Sequence, residues 1–140
     1  MEAYLTFRIA RQDFAMDARR VRGILSAREL TLLEDTKAPI TVEPFTCGIA
    51  ALNGRDFPVI DLRAKLGLPH GSHGRQPCIV VVEVPSAHGP QLAGFIADRV
   101  SEIIHARDRD FRHGKLRASG RPREVLDPAA LLGAYGNVGA

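Results

Sequence analysis

Three aspartates stand where a catalytic or metal-binding carboxylate could stand. Asp61, Asp98 and Asp127 each end an apolar stretch, and three carboxylates together would suit acid–base chemistry or a hard metal ion. Asp61 and Asp127, however, each precede a short helical pattern, and Asp98 closes a strand-like run. We therefore expect helix caps at Asp61 and Asp127 and a strand end at Asp98, and no catalysis at any of them.

The histidines and cysteines also lack the spacing of a reactive or metal-binding site. His70 and His73 lie in a glycine-rich loop without a third ligand in the sequence nearby, so we expect solvated loop histidines. Cys47 and Cys78 lie in separate apolar runs, where small buried hydrophobic residues are expected. The sequence has no phosphate-binding loop and no nucleophile elbow. We expect a protein that is not an enzyme, with no catalytic residues, no metal site and no cofactor.

The positive charge of the chain is local. Residues 105–123 hold seven basic and two acidic residues, whereas the rest holds 12 basic and 14 acidic residues. A groove for single-stranded nucleic acid would interleave aromatic residues with the charge, and this segment has only Phe111. We expect a solvated, arginine-rich connecting segment that can contact an acidic protein. A small basic β-barrel that binds nucleic acid through this segment is the alternative.

The hydrophobic pattern predicts short strands with little helix. Residues 4–9 alternate between apolar and polar, which is typical of a half-buried strand, and residues 14–16 are its expected hairpin partner. Asn53-Gly54 lies between two apolar runs and predicts a tight hairpin turn. Pro58 lacks an N–H, so its strand should lie at an edge or a bulge there.

Later segments complete an all-β pattern. Residues 79–82 are β-branched and apolar, as expected for a strand buried on both faces. Residues 62–66 and 129–132 read as short helices, and residues 134–140 as a flexible tail. With 140 residues and no apolar run of membrane-spanning length, we expect a single cytoplasmic domain over residues 1–140.

The order of these features resembles the chemotaxis coupling-protein family, the CheW-like domains. The family pattern contains Val-x-Glu-Ile, then Gly-Val-x-Asn-Leu-Arg-Gly-x-x-x-Pro-Val-x-Asp-Leu-Arg, then Gly-x-x-x-Asp-x-Val-x-x-Val. The chain has VRGI at residues 21–24, GIAALNGRDFPVIDLR at 48–63 and GFIADRVSEI at 94–103. LDPAALL at residues 126–132 also fits. The resemblance covers about residues 4–132.

The resemblance implies two packed five-stranded SH3-like barrels with short helices, acting as a non-enzymatic scaffold. One lobe would bind the regulatory domain of a CheA-like histidine kinase, and a groove near the lobe junction would take the cytoplasmic tip of a methyl-accepting chemoreceptor. No membrane insertion and no nucleic acid are expected. The partner-binding residues that it implies are Val21, Gly23, Ile24, Gly48, Asn53, Gly54, Val80 and Gly94.

The chain departs from the family pattern at two charged positions. The Glu of Val-x-Glu-Ile is Gly23 here, and the Arg of Asn-Leu-Arg-Gly is Asn53. Loss of one alone would leave an unpaired charge, so the joint loss predicts a redesigned or relaxed receptor contact. The region 108–124 is also shorter and more polar than in the family, which predicts a second barrel trimmed or open at that edge.

Overall fold

In a computed structural model of the chain, the structure describes residues 1–35, 45–117 and 121–131. Short strands dominate these ranges, as the alternating sequence pattern predicts. The strands are β1 (Glu2–Ile9), β2 (Gln12–Asp17), β3 (Val21–Ser26), β4 (Thr31–Leu32), β5 (Thr46–Leu52), β6 (Arg55–Ile60), β7 (Cys78–Val84), β8 (Gln91–Ala97), β9 (Arg99–Ala106), β10 (Phe111–Arg112), β11 (Lys115–Leu116) and β12 (Arg123–Val125). The α-helices are α1 (Leu62–Lys65) and α2 (Pro128–Leu131). The predicted tail, 134–140, lies outside the described residues.

The strands form two sheets, which define two lobes. The first lobe has the order β10-β11-β12-β2-β1-β9 and combines the start of the chain with its last strands. The second lobe has the order β3-β7-β8-β6-β5-β4 and comes from the middle of the chain. The all-β, two-lobed fold class is confirmed, with six strands in each sheet of the described ranges where the resemblance implied five.

Two tight turns set the register of the hairpins. Asn53 and Gly54 have φ of 52° and 78° and connect Leu52 to its partner Arg55, so the predicted Asn-Gly turn is confirmed. Ala10 and Arg11 form the β1–β2 turn with φ of 51° and 68°. The predicted pairing of these two strands is correct, and the partner strand begins at Gln12, two residues before the predicted range 14–16.

Side chains pack on both faces of each sheet. Leu5, Phe7 and Ile9 on β1 meet Val80 and Val82 on β7 in the core between the lobes. The opposite faces have their own smaller cores, around Tyr4 in the first lobe and around Ile79 and Val81 in the second. Because β7 contributes to two of these cores, the prediction that residues 79–82 are buried on both faces is confirmed.

Local signals at Pro58, Asp61 and Asp127 also agree with the structure. β6 lies between β5 and β8, but its parallel pairing with β8 begins at Val59, so Pro58 faces no strand on that side. The Asp61 carboxylate accepts the Ala64 N–H at 3.2 Å at the start of α1. Asp127 accepts the Ala129 N–H at 2.9 Å at the start of α2.

Candidate functional site

Five of the predicted partner-binding residues lie together at one side of the second lobe. Among the described strands β3 lies at an edge of its sheet and pairs only with β7, and Ile24 on it is 45% exposed. A Cβ at Gly23 would lie 3.5 Å from both Cδ atoms of Leu52, which places β3 beside the β5–β6 hairpin. Asn53 and Gly54 are exposed at the tip of that hairpin. We call the set Val21, Gly23, Ile24, Asn53 and Gly54 the β3 surface.

A cross-strand ion pair borders the β3 surface. Arg22 Nε lies 3.1 Å from Glu83 Oε2 on the neighbouring strand β7. The hydrogen bond from Arg22 lowers the pKa of Glu83 below its usual value. Glu83 therefore stays charged at neutral pH, and the charge of Arg22, which lies two residues before Ile24 on β3, is paired.

The other three predicted partner-binding residues lie in closely packed surroundings, and their partner-binding role stays a prediction. Val80 is 0% exposed, in the core between the lobes. A Cβ at Gly94 would come within 2.9 Å of Ile79 Cγ2 and Phe57 Cε2. A Cβ at Gly48 would meet the carbonyl oxygen of Thr31 on β4, the strand that pairs with β5. Close packing accounts for glycine at positions 48 and 94 and for a buried valine at position 80.

Asp98 directly follows β8, as the sequence predicts, and it is also a partly buried hub that joins several segments. Its Oδ2 accepts hydrogen bonds from Arg63 Nη2 at 2.7 Å and from the Ala10 N–H at 3.0 Å. Its Oδ1 lies 3.0 Å from His73 Nδ1, so His73 is not a solvated loop histidine. The Arg63 side chain is only 7% exposed. Asp98 thus ties the β1–β2 turn of the first lobe to α1 and to the glycine-rich loop.

Two sequence motifs contain the charged residues of this hub. Arg63 ends the Asp-Leu-Arg motif, and Asp98 is the Asp of Gly-x-x-x-Asp. The two motifs are 35 residues apart along the chain, so only the fold shows that they form a pair. His73 could not have been found, because a glycine-rich loop has no periodicity that orients its side chains.

The basic region 105–123 contributes to the sheet of the first lobe, so the prediction of a connecting segment is corrected. It contains the end of β9, a short 3₁₀-helix at Asp108–Asp110, the two-residue strands β10 and β11, and the start of β12. Phe111 packs edge-on against Tyr4, with ring centroids 5.4 Å apart. Leu116 is 0% exposed. The expected trimming was placed in the second barrel, whereas this region belongs to the six-stranded sheet of the first lobe.

Neither cysteine is disposed for nucleophilic chemistry. Both are free and half-buried. Burial, with a smaller effect from the charge of Asp61, raises the pKa of the Cys47 thiol to about 11. The thiol is therefore protonated at neutral pH, and a protonated thiol is a weak nucleophile.

Comparison with protein families identifies the family of this chain. The model of the CheW-like domain matches residues 3–135, which is most of the chain. The chain belongs to the CheW-like family. None of the helices in the described ranges has the length and hydropathy needed to cross a bilayer.

Relatives and a solved structure agree with this assignment. The chain is 27% identical to a chemotaxis protein CheW of Rhizobium meliloti, over 77% of this chain and 63% of that protein. It is 27% identical to a CheW of Bacillus subtilis, over 79% of this chain and 64% of that protein. The chain thus spans less than two thirds of the length of these curated relatives. The crystal structure of the scaffolding protein TtCheW from Thermoanaerobacter tengcongensis shares the fold, with a TM-score of 0.73, 22% identity and coverage of 93% of this chain and 91% of that one.

Within this CheW-like domain, the two departures from the family pattern lie close together. Gly23 is next to Leu52, and Leu52 is followed directly by Asn53. A Cβ at position 23 would fit, because it would make only ordinary contact with Leu52. Packing therefore does not require glycine at this position, in contrast with Gly48 and Gly94.

Proposed function

We propose that the protein is a non-enzymatic adaptor that couples chemoreceptors to a chemotaxis-type histidine kinase. The observation that carries the proposal is the match of the CheW-like family model to residues 3–135. Relatives of the chain are named as chemotaxis proteins, and a protein of the same fold is named as a scaffold. Residues 1–140 would act as one domain, and its location would be cytoplasmic, where kinase and receptor tip meet.

We assign kinase binding to the β3 surface. An adaptor needs an apolar anchor on a rigid element, since a few anchors carry most of the binding energy. Ile24 is such a side chain, because it is 45% exposed on a strand held in register by β7. Gly23 precedes Ile24 on β3, and its lack of a side chain allows a partner backbone to approach the strand. An interface of about 1,200 Å² is the expected scale for a signalling contact.

The test is calorimetry with the regulatory domain of the kinase that belongs to the same signalling system. Ile24→Glu should weaken binding on the order of tenfold or more, because it buries a charge at the anchor. The matched control is Ile103→Glu, since Ile103 is also exposed, at 59%, but lies on β9 of the other lobe. A folded wild-type protein that gives no binding heat would overturn the proposal. Equal losses in both variants would remove the β3 surface from it.

Receptor binding is proposed for the groove side of the same surface, around Val21, Gly23 and Asn53. Because Gly23 and Asn53 replace the Glu and the Arg of the family pattern, contact with a receptor tip here depends on shape and apolar area instead of charge. No observation favours the nucleic-acid alternative, since the basic region supplies strands and its one aromatic ring, Phe111, is packed against Tyr4.

A further inference from the structure

The first lobe contains a charged cleft that lies outside the β3 surface. The cleft has a volume of about 390 Å³ and is lined by Thr6, Arg8, Asp13, Arg99, Arg121 and Arg123, among others. This volume lies at the low end of the range for small-molecule sites. In the lining, Arg121 and Arg123 of the basic region lie together with Arg8 on β1 and Arg99 on β9.

Strand register places like charges side by side in this cleft. Arg8 on β1 is paired with Arg99 on β9 and, on its other side, with Asp13 on β2. Residues paired across neighbouring strands share a face of the sheet, and like charges directly opposite one another destabilise it. An Arg–Arg pair at the edge of a cleft is therefore stabilised by any anion that binds between the two guanidinium groups.

The acidic groups of the cleft do not neutralise the arginines. Asp13 accepts a hydrogen bond from Arg8 Nε at 3.1 Å and lies 3.6 Å from Arg121 Nη1. The hydrogen bond from Arg8, together with the charges of Arg8, Arg121 and Arg123, lowers the pKa of Asp13. In the described part of the chain, the Arg99 guanidinium has no hydrogen-bond or ion-pair partner. Two acidic residues, Asp13 and Glu102, line the cleft together with four arginines, so positive charge remains in excess.

The cleft is built on rigid backbone. A bulge lies in the β1–β9 pairing between Leu5 and Phe7, and Thr6 stabilises it. The Thr6 hydroxyl donates to the Glu102 carbonyl at 2.8 Å and accepts the Glu102 N–H at 3.1 Å, while Thr6 is 1% exposed. Arg123 is only 8% exposed, so a buried cation forms part of the wall. Bulges that redirect side chains are common beside binding sites.

We propose that this cleft binds a small oxyanion with two negative charges, held by Arg99 and Arg121 at its rim and by Arg8 in its floor. The ligand class is a phosphate group or a short dicarboxylate, since both present paired oxygens to guanidinium groups. The site belongs to the first lobe and is independent of partner binding at the β3 surface.

The experiment is a titration of the intact, isotope-labelled protein, followed by amide chemical shifts at constant ionic strength. The probes are inorganic phosphate and malonate, with chloride as the balancing ion. We expect saturable shifts at the amides of residues 8, 99 and 101 with at least one probe. The probe that binds more tightly identifies the source of the oxyanion as phosphoryl or carboxylate.

Two variants and one matched control decide the assignment. Arg99→Gln and Arg121→Gln should each weaken binding on the order of tenfold, because each loses a charged hydrogen bond. Arg28→Gln is the control, since Arg28 is an exposed arginine of the second lobe. Shifts that do not saturate with either probe, or equal losses in Arg28→Gln, would overturn the proposal. Tighter binding of a single-stranded oligonucleotide than of either probe would also overturn it, in favour of nucleic acid.

Discussion

The two lobes fill their own faces differently, although each is a six-stranded sheet. In the second lobe, Phe57, Ile79 and Val81 pack against one another so closely that Gly94 has no room for a side chain. In the first lobe, the equivalent face is apolar around Tyr4 and Leu116 but polar at Thr6 and Arg8. The difference indicates that one lobe is packed for rigidity, while the other keeps an open, charged end available for binding.

The connection between the lobes should be the most sensitive point. Asp98→Ala would leave Arg63 buried without its carboxylate and would free the Ala10 N–H of the β1–β2 turn. Removal of one partner from a buried ion pair costs about 3–5 kcal/mol of unfolding free energy. Chemical denaturation with guanidinium measures the loss.

The control for Asp98 is Glu83→Ala, because Glu83 pairs with the surface residue Arg22. It should change the stability much less, since exposed pairs are screened by solvent. If Asp98→Ala were as stable as Glu83→Ala, the lobes would be held by apolar packing alone, and the hub would have no structural role.

The tight second lobe should reject even one additional methyl group. Gly94→Ala places a Cβ 2.9 Å from Ile79 and Phe57, so the strands must shift, at about 1–3 kcal/mol. Gly23→Ala is the matched control on the same sheet, because its Cβ would lie 3.5 Å from Leu52. Thermal unfolding of both variants compares them, and equal midpoints would mean that the second lobe is not tightly packed at Gly94.

The polar half of the first lobe should depend on the hydrogen bonds of Thr6, even when the shape of this side chain is kept. Thr6→Val keeps the shape of the side chain but removes both bonds to the Glu102 backbone. A cost of about 1–2 kcal/mol is expected, since buried backbone groups lose a partner. Thr31→Val, at an exposed position on β4, is the control. A Thr6→Val variant as stable as this control would show that water can replace Thr6 as the hydrogen-bond partner of the Glu102 backbone.

Sequence reasoning succeeded where the signal was local. The Asn53-Gly54 turn, the caps at Asp61 and Asp127, and the doubly buried strand at residues 79–82 all follow from a few adjacent residues. It did not reach the pairing of Asp98 with Arg63 or the contact of Gly94 with Phe57, because these partners come from distant segments. The partner-binding roles of all eight predicted residues stay predictions, since an interface depends on a second molecule.

The same limit applies to the basic region. Its composition fitted a solvated connection, because charge and glycine are frequent in loops. Short strands of two residues carry too little periodicity to be recognised. Only the pairing of Leu116 with Phe111 and with Arg123 shows that the region completes a sheet and carries Arg121 and Arg123 to the cleft.

The pairing of early strands with late strands also determines when the first lobe can fold during synthesis on the ribosome. Tyr4 pairs with Ile104, so about 100 residues must be added before β1 meets β9, which takes about 5–20 s at ordinary translation rates. The strands of the second lobe are contiguous from β3 to β8 and can pair earlier. During this interval the β1–β2 hairpin has two unpaired edges, and Arg8, Asp13 and Asp17 place charges along it that oppose aggregation.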